Sequence, residues 1–275
     1  MKQSWSKLLF VFVCTVLLMS CHKSSEQQNQ QPAQQTPQQQ QAAAPAQGIV
    51  QGQSSGQTTS QPGQTTTTAP AGQAANEQLV QLDIKLPKPM FVGTPTNIAV
   101  LNLEKPLGKP RPPFLAPAGT RNVAFKKAVS SSDEQPVIGE LSMITDGDKE
   151  AAEGSFVELG PKLQYVMIDL RARHNIYALV VWHYHKQAVV YHDFIVQVAD
   201  DSDFISNVQT VFNNDIDNSS GRGVGKDMSY VETSEGKLID AKGVQGRYVR
   251  LYSRGNTANE LNHYIEVEVY GRTVQ

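Results

Sequence analysis

The 275-residue sequence has only two cysteines, and both lie within its first 21 residues. The chain after Cys21 therefore lacks the thiols that disulfides, cysteine zinc sites and cysteine nucleophiles require. A strong charge of either sign is also missing, because 24 basic and 26 acidic residues give a formal net charge of −2. This balance excludes the basic footprint typical of nucleic-acid binding, so we expect no nucleic-acid partner.

Residues 79–275 also lack the motifs of common hydrolases, such as Gly-x-Ser-x-Gly and His-Glu-x-x-His. One acidic loop begins at Asp215 like an EF-hand, but Ser220 replaces the required glycine and Lys226 replaces the bidentate glutamate. We therefore predict that the protein is not an enzyme.

The first 20 residues have the pattern of a signal peptide. Two lysines precede an apolar run at 8–19, which is too short to span a bilayer and ends at a small residue before Cys21. This end resembles the lipobox of bacterial lipoproteins. The resemblance implies cleavage before Cys21, a lipid anchor on its thiol and a place in the bacterial cell envelope, with the outer membrane favoured by His22 in a Gram-negative cell. An ordinary secretory signal with a chance cysteine remains the alternative.

Residues 21–78 consist mainly of Gln, Pro, Thr, Ala, Ser and Gly, with no aromatic residue. Such a composition cannot bury enough apolar surface to offset the entropy of ordering, so it predicts a disordered tether. A flexible coil of this length spans roughly 40 Å. A Gln-rich element that binds a partner is the competing interpretation.

The remaining residues, 79–275, suffice for one domain. Apolar and polar residues alternate at 80–86, 247–251 and 264–270, as in half-buried strands, and no helical period competes with them. Further short strands are predicted at 122–129, 209–213 and 230–232, and prolines are frequent at 105–117. The pattern predicts an all-β domain, with N-terminal strands and a Pro-rich arm at 79–120 and a β-sandwich at 121–275.

Seven sequence motifs occur in order within residues 121–271 and indicate which kind of β-sandwich to expect. They are Asn-Val-Ala at 122–124 with serines at 130–132, Thr-Asp-Gly-Asp at 145–148, Val-Met-Ile-Asp-Leu at 166–170, Ile-Tyr-Ala-Leu-Val-Val at 176–181, Phe-Ile-Val-Gln-Val-Ala-Asp-Asp at 194–201, Gly-Arg-Tyr-Val-Arg-Leu at 246–251 and Ile-Glu-Val-Glu-Val-Tyr-Gly at 265–271. Together they resemble the discoidin, or coagulation factor 5/8 type C, family and its galactose-binding-like carbohydrate-binding modules. The resemblance implies a jelly-roll β-sandwich. One departure is Phe156 or Val157 where many bacterial members carry a tryptophan.

The same resemblance implies a structural calcium ion. Its ligands would be the side chains of Asp146, Asp148, Ser155 and Glu266 and the carbonyls of Met143, Ser155 and Ile265. Hard oxygen ligands of this kind suit Ca²⁺. A plain β-turn at Asp146 is the alternative.

Histidines form the other candidate site. Alternation along a strand at 176–185 would place His183 and His185 on one face, opposite Trp182. Three roles are open to these histidines. They could bind sugar hydroxyls, they could hold a transition metal as a pair and so support a metal-dependent enzyme, or they could simply pack in the fold. The ligand-binding candidates are Trp182, His183, His185, His192, Arg254, Asn262 and His263.

Together these features predict a membrane-anchored, non-catalytic lipoprotein whose domain binds carbohydrate or an envelope glycan. The alternative is an adaptor whose sandwich binds another envelope protein, because this superfold serves several kinds of ligand.

Overall fold

The structure is a computed structural model that describes residues 77–93, 95 and 97–274. The predicted signal, the predicted lipid acceptor Cys21 and the predicted tether as far as residue 76 lie outside the described residues. The strands are β1 (Leu79–Gln81), β2 (Leu115–Pro117), β3 (Arg121–Asn122), β4 (Val129–Ser131), β5 (Val157–Leu159), β6 (Gln164–Trp182), β7 (Ile195–Ala199), β8 (Gln209–Asn213), β9 (Lys237–Ser253), β10 (Asn262–Tyr264) and β11 (Glu266–Thr273). A 3₁₀ helix covers Leu141–Thr145. Within this part of the chain, no helix is long and apolar enough to cross a membrane.

Two long antiparallel strands form the centre of the fold. β6 pairs with β9 from Gln164 opposite Ser253 to Val181 opposite Lys237, with register shifts between Asp169 and His174 and again further along. The main sheet has the order β3-β11-β6-β9-β7-β8, and β4 also pairs with β6. β5 and β10 form a small second sheet, and β1 and β2 form a third.

β6 and β9 fold back on themselves, so that both contribute to two layers. His183 follows β6 directly, and its ring lies 4.7 Å from the ring of Phe194, which directly precedes β7. β7 begins opposite Tyr252, whose ring also contacts that of Tyr165 near the start of β6. The two ends of β6 therefore lie at the same end of the sandwich. The bend falls at residues 170–173, where Arg171 adopts a left-handed backbone with φ of 70°.

The core lies between the two layers and follows the alternation in the sequence. Its fully buried members include Val166, Ile168, Leu179, Val181, Val249, Leu251, Val267 and Val269. Gly246 allows β9 to approach β7, since a Cβ at this position would lie only 2.8 Å from the carbonyl oxygen of Ala199. The predicted all-β jelly-roll sandwich is confirmed.

Several predicted strand bounds were wrong. The strand predicted at 176–185 ends at Trp182, and the one predicted at 80–86 is limited to Leu79–Gln81. The predicted strand at 122–129 divides into the short β3 and β4, and residues 230–232 form no strand.

The N-terminal arm, residues 79–120, covers the outer face of the layer that contains β11. Leu82 and Ala116 from the arm are buried against Val180, Trp182 and Tyr270 in a second apolar cluster. β1 and β2 pair antiparallel, and Leu82 N–H donates to the carbonyl of Phe114 at 2.9 Å. Both faces of this layer are therefore covered, and the arm is part of the same folded unit.

Replacing Leu82 by Ala should test this packing. Leu82 is 6% exposed, so truncation leaves a cavity and should lower the free energy of unfolding by about 2–5 kcal/mol. Leu86 is a matched control, because it is 52% exposed and its truncation should cost less than about 0.5 kcal/mol. Urea unfolding of both variants measures the difference. Equal, small effects would mean that the arm does not pack on the sheet.

Candidate functional site

Three loops meet at the end of the sandwich where β7 begins and where β8 and β9 end. His192 N–H donates to the carbonyl of Gly255 at 3.1 Å, and Arg254 N–H donates to the carbonyl of His192 at 2.8 Å. The third loop joins through Ser219, whose carbonyl accepts from Arg254 Nη1 at 3.2 Å. We call the polar surface formed by His192, Asp193, Ser219, Arg222 and Arg254 the loop platform. Its members are exposed except for Asp193, which is partly buried.

Charges of both signs lie side by side on the loop platform. Asp193 Oδ2 accepts from the hydroxyl of Ser219 at 2.8 Å and lies 3.6 Å from Arg254 Nη1. Burial raises the pKa of Asp193, and the carboxylate of Asp215 adds to this effect. The guanidinium of Arg222 lies 4.8 Å from the ring centre of Tyr252. The platform thus presents guanidinium donors and carboxylate acceptors held at fixed positions.

An acidic group lies at the edge of the loop platform. Ligand atoms of Asp193, Asp215 and Asp217 lie within 4.8 Å of one another, the one such group of three among the described residues. The carboxylate of Asp215 already accepts backbone N–H bonds from Ser219 at 3.0 Å and Ser220 at 2.9 Å. Hydrogen bonds within the loop therefore satisfy the carboxylate of Asp215, and EF-hand geometry is not needed to explain its position.

His183 is a core residue. It is fully buried, its Nδ1 lies 3.1 Å from Glu232 Oε2, and its ring stacks on Tyr191 at 4.2 Å. His185 is also fully buried, but its Nε2 faces the carbonyl of Lys149 at 2.9 Å. The two imidazoles thus have different partners, and neither belongs to a group of three metal-ligating side chains in the described chain. β6 ends at Trp182, so the strand alternation that was predicted to place His183 and His185 on one face does not extend to them.

Trp182 is enclosed as well and offers no face to a sugar in this structure. Its indole Nε1 donates to the carbonyl of Ser234 at 3.0 Å, and Lys149 Nζ lies 5.0 Å from the ring centre. Gly236, at φ +64°, lies against the ring, where a Cβ would come within 2.8 Å of indole atoms. The placement of Trp182 therefore does not support its prediction as a ligand-binding residue.

Asn262 and His263 support the loop platform from below. The side-chain oxygen of Asn262 accepts from Gly255 N–H at 2.8 Å, which fixes the turn after Arg254. His263 Nε2 lies 2.9 Å from Glu158 Oε2, and its Nδ1 lies 3.0 Å from the hydroxyl of Tyr191. Burial lowers the pKa of His263. Both residues are buried, so we assign them to support instead of direct contact with a ligand.

Tyr191 is a residue that the sequence analysis missed. Its ring is held by His183 and its hydroxyl by His263, while its backbone bridges to Asn256. It therefore anchors the loop that presents His192. A single tyrosine in a loop gives no local pattern, so only the tertiary contacts reveal this role.

The proposed calcium ligands are only partly assembled. Glu266 is fully buried, and its Oε2 accepts from Gly147 N–H at 3.1 Å. Glu266 Oε1 has no hydrogen-bond partner among the residues that the structure describes. Desolvation by burial raises the pKa of Glu266 to about 9, and the carboxylates of Glu268 and Asp146 add to this rise. The hydrogen bond from Gly147 and the ammonium of Lys149, which lies 2.8 Å from Glu268, oppose it in part. A buried carboxylate with a free oxygen fits a cation.

The other predicted calcium ligands show mixed geometry. The side chains of Asp146 and Asp148 accept backbone bonds within their own turn, from Asp148 N–H at 2.8 Å and Glu150 N–H at 3.0 Å. The carbonyl of Met143 accepts only a long bond of 3.5 Å from Asp146 N–H. Ser155 and Ile265 donate their own N–H groups to Ala152 at 3.1 Å and Trp182 at 2.8 Å. The turn thus lies beside Glu266, as a shared ion would require.

Comparisons with known proteins give matches among solved structures alone. No protein-family model and no curated protein matches the chain. A family 89 glycoside hydrolase from Clostridium perfringens is 16% identical with a TM-score of 0.41, and the match covers 56% of this chain and 15% of the hydrolase. A chitosan-binding module from Paenibacillus is 19% identical with a TM-score of 0.40, covering 55% of this chain and 99% of the module. A fucose-binding module from Streptococcus pneumoniae is 19% identical with a TM-score of 0.39, covering 56% and 99%. At this level of similarity, the fold and site of this chain rest on its own geometry.

Glu266 should make stability depend on pH in calcium-free buffer. Its pKa is raised to about 9 in the folded state, so the folded state binds more protons than the unfolded chain between an ordinary carboxyl pKa and 9. This contribution is fully present at acidic pH and is lost as the pH rises, at no more than about 1.4 kcal/mol per pH unit. Urea unfolding from pH 5 to 9 should show the decline.

The Glu266→Gln variant is the control, since it cannot titrate and should remove this part of the slope. Millimolar calcium should do the same for the unaltered protein, because a bound cation takes the place of the proton. Identical slopes for the variant and the unaltered protein would contradict the assignment.

Proposed function

We propose that the domain binds carbohydrate at the loop platform and performs no reaction there. The observation that carries the proposal is that two backbone hydrogen bonds fix the two loops together, from Arg254 N–H to the carbonyl of His192 and from His192 N–H to the carbonyl of Gly255, with both His192 and Arg254 exposed. Preorganised polar groups lose little entropy when a ligand binds. A rigid, exposed set of donors and acceptors therefore favours recognition of a polar ligand.

The chemistry of the loop platform suits sugar hydroxyls. Arg254 retains guanidinium donors beyond its contact with Ser219, and the carboxylate of Asp217 is exposed as an acceptor. Sugar hydroxyls donate and accept at once, so neighbouring donors and acceptors can bind adjacent hydroxyls in pairs. A protein partner would instead favour an apolar centre with aromatic anchors. The platform is polar, which supports a glycan as the ligand.

We further propose a structural calcium ion between Glu266 and the turn at Asp146–Asp148. Such an ion would use the free Oε1 of Glu266 and join β11 to a turn about 120 residues earlier in the sequence. Its role would be to stabilise the fold, because it lies apart from His192 and Arg254 in the contacts that the structure describes.

We also propose that Cys21 carries a lipid that anchors the protein in the bacterial envelope. The support is the apolar run at 8–19 that ends at a small residue before this cysteine. The domain would then act near a membrane.

Replacing Arg254 by Ala should weaken glycan binding at least about tenfold, since charge-assisted hydrogen bonds to the ligand would be lost. Arg173 is a matched control at the opposite end of β7. Arg254 and Arg173 are 47% and 49% exposed and lie beside Asp193 and Asp200, respectively. A glycan array identifies a ligand, and calorimetry then compares the two variants. Equal affinities, or no glycan bound by the unaltered protein, would overturn the proposal.

Lipidation should be visible by metabolic labelling with radioactive palmitate in a bacterial host. The unaltered protein should be labelled and sediment with membranes, and Cys21→Ser should lose both properties. Cys14→Ser should behave like the unaltered protein, because Cys14 lies within the predicted signal. Label that persists in Cys21→Ser would contradict the anchor.

A further inference from the structure

The N-terminal arm differs in charge from the rest of the domain. Residues 79–120 contain five basic and two acidic residues, whereas residues 121–275 contain sixteen basic and twenty-two acidic ones. The near-neutral charge of the whole chain conceals this asymmetry. The arm is therefore a local basic element on an otherwise acidic domain.

Both acidic residues of the arm are already paired. Asp83 lies 2.8 Å from Lys85, and Glu104 lies 2.7 Å from Lys237 of β9. Among the ion pairs of the described residues, none involves Lys88, Lys105 or Lys109. These three lysines therefore leave the arm with a net positive charge, although Glu235 lies close by in the loop that precedes β9.

Apolar side chains stand exposed among these lysines. Met90, Val92 and Leu107 are 42%, 102% and 62% exposed. They line one open groove together with Lys105 and Lys109. Exposed apolar side chains flanked by lysines are the pattern of an interfacial membrane contact, in which the apolar groups enter the lipid and the ammonium groups meet phosphates.

Specific contacts fix the arm to the rest of the domain. Arg111 Nη1 donates to the carbonyl of Gly236 at 3.0 Å, and Leu82 of the arm is buried against the sheet. The preceding chain also enters here, since β1 begins at Leu79. The arm is thus a fixed surface at the point where the N-terminal part of the chain joins the domain.

We infer that this part of the N-terminal arm docks on an anionic lipid surface. Charge complementarity identifies the occupant, because lipid phosphates supply negative charge beside an apolar phase. The chain before residue 77 offers no such complement, since it contains one acidic residue and few large apolar residues after Cys21. The domain would therefore lie against the membrane, with the loop platform left for its own ligand.

Vesicle sedimentation tests this inference. The chain without residues 1–21 avoids binding through the apolar signal, and it leaves the described unit from residue 77 intact. It should bind vesicles that contain phosphatidylglycerol and phosphatidylcholine, and bind pure phosphatidylcholine at least about tenfold more weakly. Added salt should weaken the binding to the anionic vesicles.

Two sets of variants identify the surface. Lys105→Glu with Lys109→Glu should lower binding at least about tenfold, and Val92→Asp should lower it as well. Lys162→Glu with Lys242→Glu makes the same change in charge at exposed positions outside the arm and should leave binding unchanged.

Equal binding to neutral and anionic vesicles, or no vesicle binding, would overturn the inference. Loss of binding in the Lys162 and Lys242 variant would overturn it too, because a general charge effect would then suffice. Capture by heparin that is insensitive to Val92→Asp, without vesicle binding, would show an acidic polymer to be the partner and would also contradict it. None of these outcomes depends on whether the loop platform binds a glycan.

Discussion

The antiparallel pairing of β6 with β9 is the interaction on which the rest of the structure depends. Because both strands fold back near residues 170–173, a single ladder supplies a strand to each layer and closes the core between them. Val166 and Val181 belong to the same strand, yet they meet the core from opposite layers. Both ends of this ladder consequently lie at one end of the sandwich.

This folding back determines where a ligand can bind. The loops before β7 and after β8 and β9 converge at the same end, where backbone hydrogen bonds join His192 to Arg254 and Gly255. Beneath them, Tyr191 is fixed between His183 and His263 in a buried polar layer, in which His183 Nδ1 meets Glu232 and His263 Nε2 meets Glu158. Only Nε2 of His183 lacks a partner in this layer among the described residues. Buried hydrogen-bonded networks of this kind specify one arrangement, since any unpaired member costs free energy. This buried layer positions the exposed residues of the loop platform.

Local pattern predicted the fold well and the site only in part. Alternation at residues 264–270 identified β11, and the strand predicted at 209–213 coincides with β8. Alternation could not show that His183 leaves the strand, because its N–H and imidazole both face Glu232, 49 residues later. The Asn-, Gly- and Thr-rich composition of residues 253–263 is typical of a surface loop, and Arg254 within it is exposed. Contacts between residues that are distant in the sequence, such as Tyr191 with His263, cannot be predicted from a short stretch of sequence.

The central claim is that the loop platform is the surface where glycan binds. Nuclear magnetic resonance of the ¹⁵N-labelled domain, titrated with a glycan selected from an array, tests it most directly. We expect the largest shifts at the amides of His192, Ser219 and Arg254, with little change at the far end near Arg173. Shifts centred on Arg173, or on the N-terminal arm, would contradict the account.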